Sequence, residues 1–291
     1  MLLSAIIEGL FFGLYFTLVG LGLTLVFGVM KIVNIAHGDF LMLGAYGAFW
    51  FFLLLGLHPL ASAAVMLVAL ILIGIPIYYL IVPRLMAARD TEMLSLILFF
   101  GMSQVIEAIA AILWGTTERS IPARIFGVGP VMILTARMPK AWVFSALVSA
   151  VAVIAVYLYL YWTRLGTVTR AVMVSREEAL ATGIDVHWVS AIAFGLGIAL
   201  AGIAGVFEPF MLGSVTPGLG VQINIAAFAV IVVGTLGNPL GTVLGGIIYG
   251  VSLMLMQTYL SSWANLLPNL LLIAVLLVRP EGLLGRQVRR A

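Results

Sequence analysis

The chain has 291 residues, of which 64% are hydrophobic and only 9% are charged, and its mean hydropathy is +1.24. Its 14 Lys and Arg and 11 Asp and Glu cannot cover a water-facing surface, so a soluble globular protein is excluded and most of the outer surface must face lipid. The chain contains no cysteine, which excludes disulfides, thiolate nucleophiles and thiolate metal sites.

Apolar runs predict an all-α polytopic membrane protein with about eight transmembrane helices, organised as one domain over residues 1–291. A helix needs roughly 20 residues to cross a bilayer core of about 30 Å. The last run is too long for one crossing, and the polar group at 261–265 divides it into 241–260 and 264–278. In chain order the runs lie near 5–30, 40–57, 60–82, 93–114, 141–162, 189–212, 222–236 and 241–278.

Broken or short helices are predicted at two places, near 31–39 and near 222–241. The first is polar although it adjoins a long apolar run, and the second ends a short apolar run with the glycine-rich sequence GTLGNPLG. Irregular backbone at membrane depth is tolerated only where protein or a water-filled cavity satisfies its polar groups. Such breaks are typical of transport pathways.

The distribution of basic residues predicts the orientation, because cytoplasmic loops are enriched in Lys and Arg. With the N-terminus outside and the C-terminus in the cytoplasm, the inner side receives ten basic residues, seven of them in the loop 163–188 and the tail 279–291. The outer side receives four, all in the loop 115–140, which oppose the rule. The N-terminus has no basic leader, so we expect it to begin the first spanning helix.

The loop 163–188 contains a capping box at Ser175 and Glu178, in which each side chain satisfies a backbone N–H of the other residue. This pattern predicts a short helix over 176–182, with Gly183 in the left-handed conformation after its end. Such a helix is too short to be stable alone. Two interpretations stay open, an ordinary interfacial loop helix and a docking helix for a cytoplasmic partner.

The connection between the first two apolar runs brings an amide, an imidazole and a carboxylate close together in Asn34, His37 and Asp39. One interpretation is a cytoplasmic turn in which Asp39 caps the next helix. The other is a polar pathway lined or gated by these side chains. A metal centre or a catalytic site is not indicated, because neither further ligands nor a nucleophile accompany them.

Two acidic residues lie in apolar runs, where an ionised carboxylate is unfavourable unless it faces protein or water. Glu107, near Ser103 and Gln104, is the better candidate for a pathway residue. Glu208 precedes Pro209 near the end of its run, and we expect it to be an interfacial residue at a bent helix end.

Small residues at four-residue spacing predict closely packed helix pairs. They occur at Gly9 and Gly13, at Gly241 and Gly245, and at Gly246 and Gly250, and we expect mainly packing within the chain. No nucleotide-binding G-x-x-x-x-G-K-[ST] motif is present, so we expect no cofactor in this chain and no enzymatic activity of its own. Energy from ATP would have to come through a partner.

The run GLTLVFGVMKIVNIAHGDFLMLGAY at 22–46 strongly resembles the opening of the LivH-type inner-membrane permeases of branched-chain amino-acid ABC importers. The stretches EEALATGID at 177–185 and FGLGIALAGIAG at 194–205 resemble the family's cytoplasmic loop and the helix that follows it. The segments 233–246 and 278–285 resemble its C-terminal signatures. The resemblance covers essentially the whole chain.

The resemblance implies an importer in which a periplasmic binding protein delivers the substrate, two related permeases form the pathway, and two cytoplasmic ATPases bind ATP. The loop 163–188 would then be the coupling loop. Its coupling helix would present to the ATPase Arg176, Glu177, Glu178, Ala179, Leu180 and Gly183. Membrane lipid would surround the chain, and no nucleic acid would bind it.

Three alternatives remain at this level. Relatives that transport urea or short amides look alike in these motifs. A proton-coupled secondary transporter that uses Glu107 or Asp39 would need no ATPase. An intramembrane enzyme built around His37 and Asp39 is remote, because no nucleophile or metal set accompanies them.

Overall fold

A computed structural model describes residues 1–285, and the last six residues of the predicted tail, 286–291, lie outside the described part. Within 1–285 the structure contains eleven α-helices and one β-hairpin. The helices are α1 (Leu2–Met30), α2 (His37–Leu55), α3 (Pro59–Met86), α4 (Thr91–Trp114), α5 (Lys140–Trp162), α6 (Arg164–Val174), α7 (Arg176–Ala181), α8 (Val186–Met211), α9 (Leu219–Gly234), α10 (Pro239–Tyr259) and α11 (Leu267–Val278).

The prediction of about eight transmembrane helices is confirmed. Eight helical segments among the described residues are long and apolar enough to cross a membrane, the last being the 3₁₀ turn Ser261–Leu266 continued by α11. The remaining apolar helix, α9, has only 16 residues and is the short helix predicted near 222–236.

The core of the bundle is formed by α1 and α8, whose residues are mostly buried. The most extensive packing joins α1 to α10, and α8 packs on α3, α2 and α1. Glycines permit the close approach of α1 and α10: a Cβ on Gly13 would lie 2.7 Å from Cα of Ile247, and one on Gly9 would lie 2.6 Å from Cα of Val251. The predicted packing of small residues within the chain is therefore confirmed.

The break predicted near 31–39 is present, because residues 31–36 are not helical. Lys31 ends α1 with a left-handed φ of 56°. The chain then turns back, and Nε2 of His37 donates a hydrogen bond of 3.0 Å to the carbonyl oxygen of Val19. Val19 precedes the end of α1 by about 16 Å at 1.5 Å per residue, so α2 begins beside the middle of α1.

The loop 115–140 contains the hairpin of β1 (Pro130–Ile133) and β2 (Ala136–Pro139), which the sequence analysis did not predict. The strands have four residues each and are linked through Leu134, which has a φ of 52°. Such short strands leave no recognisable alternation of polar and apolar residues. The loop also pairs with the segment after α8, through two backbone hydrogen bonds between Arg119 and Val215 of 3.0 and 2.7 Å.

Candidate functional site

The first candidate region is α7, which corresponds to the short helix predicted over 176–182. Oγ of Ser175 accepts a hydrogen bond of 3.3 Å from the Glu178 N–H, as the capping box requires. The reciprocal bond is not formed, because the Ser175 N–H donates to the carbonyl of Ala171 at 3.1 Å. Helix α6 was not predicted from the sequence. It ends at Val174, directly before Ser175, and its Ala171 carbonyl accepts the Ser175 N–H.

The end of α7 follows the prediction. Gly183 has a left-handed φ of 80°, and its N–H donates to the carbonyl of Leu180 at 3.0 Å. The N–H of Ile184 reaches back to the carbonyl of Ala179 at 3.1 Å. These two bonds form a Schellman motif, which satisfies the last carbonyls of the helix. Both ends of α7 are therefore capped by its own sequence.

The six proposed coupling residues divide between two faces of α7. Ala179 is buried, and Nη1 of Arg176 donates to Oγ of Ser190 in α8 at 3.3 Å. The bond from Arg176 holds α7 against α8. The remaining side chains are exposed and combine apolar and acidic groups. We call them the α7 surface, which consists of Val174 at the end of α6 and of Glu177, Glu178 and Leu180 in α7.

The second candidate region is the break between α1 and α2, where Asn34, His37 and Asp39 are all buried. His37 fastens the break to α1 through its bond to Val19, and it packs on Gly22. Neither the amide nitrogen nor the amide oxygen of Asn34 has a hydrogen-bond partner among the described residues.

Asp39 lies in the first turn of α2 but does not cap it. The cap position is Ala36, without a side-chain hydrogen bond, so the interpretation of Asp39 as a cap is wrong. Both carboxylate oxygens of Asp39 are buried, and neither makes a well-formed hydrogen bond within residues 1–285. The carboxylate faces Gly220 of α9, and Ser103 and Glu107 of α4 lie near it.

The carboxylate of Glu107 lies near that of Asp39. Its Oε1 atom would be 3.6 Å from a Cβ placed on Gly218, which is the N-cap residue of α9. The structure therefore brings Asp39 and Glu107 together at the start of α9. Glu107 is partly buried.

Asn224 of α9 is a functional candidate that the sequence analysis missed. Its Nδ2 atom donates to the carbonyl of Ile35, inside the break, and its Oδ1 atom has no partner in the described part of the chain. An amide in a short apolar helix was the available signal. Asn224 and Ser103 also line a cavity of about 230 Å³ together with Ile35, Phe100, Val221, Ile225 and Phe228.

Glu208 is not interfacial, and that expectation is wrong. Its side chain is fully buried, and α8 continues through Pro209 to Met211. The carboxylate lies near Tyr15 of α1. Packing of α8 in the centre of the bundle buries the residue, which its position near the end of an apolar run did not reveal.

Neither region has the side chains of a metal centre. In residues 1–285 no group of three or more His, Asp or Glu side chains is placed to hold a metal ion. The arrangement at α7 is suited to binding a protein partner, and the buried polar groups at the break are suited to contacting a small polar or charged ligand.

Comparison with known proteins assigns the family. Residues 5–276 match the family model for the permease component of branched-chain amino acid transport systems. The high-affinity branched-chain amino acid permease protein LivH of Salmonella typhimurium is 28% identical, over 98% of this chain and 96% of its own length. The corresponding protein BraD of Pseudomonas aeruginosa is also 28% identical with the same coverage.

A third relative is similar over a slightly smaller share of the chain. The probable LivH permease of Methanocaldococcus jannaschii is 30% identical over 92% of this chain and 88% of its own length. No solved structure matches the chain significantly. The family match over residues 5–276 shows that this chain belongs to the permease components of branched-chain amino acid transport systems.

Proposed function

We propose that the chain is the membrane-spanning permease subunit of an ABC importer and forms the path for branched-chain or similar hydrophobic amino acids. A periplasmic binding protein would deliver the substrate, a second, related permease would complete the pathway, and two ATPases would bind ATP. The observation that carries this proposal is the α7 surface, a capped helix anchored to the bundle with its apolar and acidic face exposed.

The anchoring of α7 supports a coupling role. Arg176 attaches α7 to α8 through Ser190, so a partner that displaces α7 would also pull on α8. Helix α8 packs along α2 through glycines: a Cβ on Gly44 would overlap the backbone of Gly202. Motion of α8 would therefore reach the break at the start of α2.

The proposed orientation places α7, the loop 163–188 and the tail 279–291 in the cytoplasm, and the N-terminus and the hairpin loop 115–140 outside. Charge supports it, because ten of the 14 basic residues then lie inside. Within this single permease domain, the pathway would run beside the break, where Asn34, His37, Asp39 and Glu107 supply polar groups at membrane depth.

Two measurements test this proposal, co-purification of the ATPases and reconstituted uptake of leucine. The tagged permease is extracted from its native membrane in mild detergent, and co-purifying ATPases are quantified. The assembly is then reconstituted in liposomes with the binding protein and leucine. We expect ATPases to co-purify and leucine to stimulate hydrolysis and uptake. A chain that purifies alone and transports leucine with a proton gradient would contradict the proposal.

The variant Leu180→Asp tests the α7 surface directly. Leu180 is 52% exposed, so the change leaves the core intact, and an added carboxylate beside Glu177 and Glu178 disfavours an apolar contact. We expect recovery of the ATPases to fall about tenfold, as for an interface hot spot. The matched control is Leu134→Asp in the hairpin, 79% exposed, which should leave recovery unchanged. Equal recovery with both variants would exclude α7 as the contact.

A further inference from the structure

Two carboxylates meet at the junction of α2, α4 and α9. Asp39 is 1% exposed, and neither of its oxygens makes a well-formed hydrogen bond within the described chain, although the Ser103 hydroxyl lies close by. Glu107 reaches the same point from α4. Beside them lies the cavity lined by Ser103 and Asn224. We call the two carboxylates and this cavity the acidic pocket.

Two carboxylates that are close together and poorly solvated repel each other when both are ionised, and the pair is stabilised by binding a proton or another cation. The N-terminus of α9 supplies about half a positive charge, which does not balance two negative charges. The basic side chains of neighbouring segments are directed elsewhere. Lys31 lies over the ring of Phe27, and Arg119 contacts the Trp114 carbonyl and the ring of Phe49.

The walls of the cavity indicate what kind of cation would fit. Besides Ser103 and Asn224 they consist of aromatic and aliphatic side chains, Ile35, Phe100, Val221, Ile225 and Phe228. A hard metal ion prefers to be surrounded by oxygen ligands and water, and these aromatic and aliphatic walls supply neither. The volume of about 230 Å³ equals that of about eight water molecules, enough for a small organic group. An ammonium group attached to an aliphatic chain satisfies both the carboxylates and the walls.

We propose that the acidic pocket recognises an aliphatic amino acid in transit, with Asp39 and Glu107 binding its ammonium group and the apolar walls contacting its side chain. Ser103 and Asn224 contribute polar atoms beside the ammonium group. This inference rests on the proposed transport function and assigns the substrate contacts within it. The pocket adjoins the break directly, because Asn224 also donates to the carbonyl of Ile35.

A photoreactive leucine that carries a diazirine in its side chain tests the pocket. The purified permease–ATPase assembly is irradiated with the probe, and the modified residues are identified by mass spectrometry. We expect modification of peptides that contain Phe100, Ile225 or Phe228. Asp39→Asn and Glu107→Gln should each reduce this modification about tenfold, the usual effect of removing one charged hydrogen-bonding partner.

The carboxamide variants keep the size of the side chain and relieve repulsion, so they test the charge and not the fold. The matched control is Glu208→Gln, which neutralises a carboxylate that is also buried but lies near Tyr15, and it should retain full modification. The same diazirine probe without its amino group should not modify the pocket. Modification that is insensitive to the two carboxylates or to the amino group would overturn the proposal.

The two proposals fail in different ways. Wild-type protein that assembles with ATPases and transports leucine, while the probe modifies other residues, overturns only the acidic pocket. A chain that neither recruits ATPases nor transports leucine overturns the importer function, whatever the probe modifies.

Discussion

Two of the interruptions in the helical bundle, the one at α7 and the one at residues 31–36, differ in how their polar groups are satisfied. Around α7, Ser175 accepts a hydrogen bond from the Glu178 N–H and Gly183 donates one to the Leu180 carbonyl, and the segment is largely exposed. At residues 31–36 the backbone turns back beside α1, and Asn34 and Asp39 are buried with unpartnered polar atoms. The polar groups at the ends of α7 are satisfied by residues that are close in sequence. The conformation of residues 31–36 depends on contacts with helices that are distant in sequence.

This difference distinguishes α7, whose backbone groups are satisfied, from the break, which we propose to contact a ligand. A buried polar group without a partner raises the free energy of the folded state by about 1–3 kcal/mol. The proposed transport function accounts for such groups at Asn34 and Asp39, which would be available to a substrate that is bound there transiently. The capped ends of α7 leave no such groups, so its function must reside in its exposed side chains.

The largest effect is expected from Gly38→Ala at the buried interruption. A Cβ on Gly38 would overlap the carbonyl oxygen of Gly220 and would lie 2.8 Å from its carbonyl carbon, so α2 and α9 would have to separate. We expect unfolding in detergent to show a loss of about 3 kcal/mol. The matched control is Gly101→Ala in α4, where nothing lies within 4 Å and a small gain is expected. Equal stability of the two variants would contradict the close approach.

A smaller effect is expected from Asn224→Leu, which removes the donor to the Ile35 carbonyl. That carbonyl then loses its side-chain partner, so we expect a loss of about 1–3 kcal/mol. Hydrogen exchange of the amides in 31–36 should accelerate more than exchange around α7. The control is Gln222→Leu, exposed on the same helix, which should change neither quantity. Acceleration spread evenly over both interruptions would show that Asn224 does not specifically hold the break.

The features that could be predicted from the sequence are those that depend on neighbouring residues and not on distant helices. The spans, the break near 31–39, the start of α7 and Gly183 after its end depend on composition and neighbouring residues, and they are confirmed. The inward turn of Arg176 and the burial of Glu208 depend on where α8 lies, which no local pattern encodes. The meeting of Asp39 with Glu107 requires three helices to converge.

The smallest effect is expected from Gly183→Ala at the exposed interruption. Gly183 has a φ of 80° with nothing within 4 Å of an added Cβ, so only the left-handed backbone opposes alanine. We expect a loss of about 1 kcal/mol, with faster exchange confined to the amides of Gly183 and Ile184. Combining it with Asn224→Leu should give the sum of the two losses to within about 0.5 kcal/mol, because the sites share no partner. A departure from this sum of more than about 0.5 kcal/mol would mean that α8 couples the stability of the two interruptions. The cap of α7 would then stabilise the break as well.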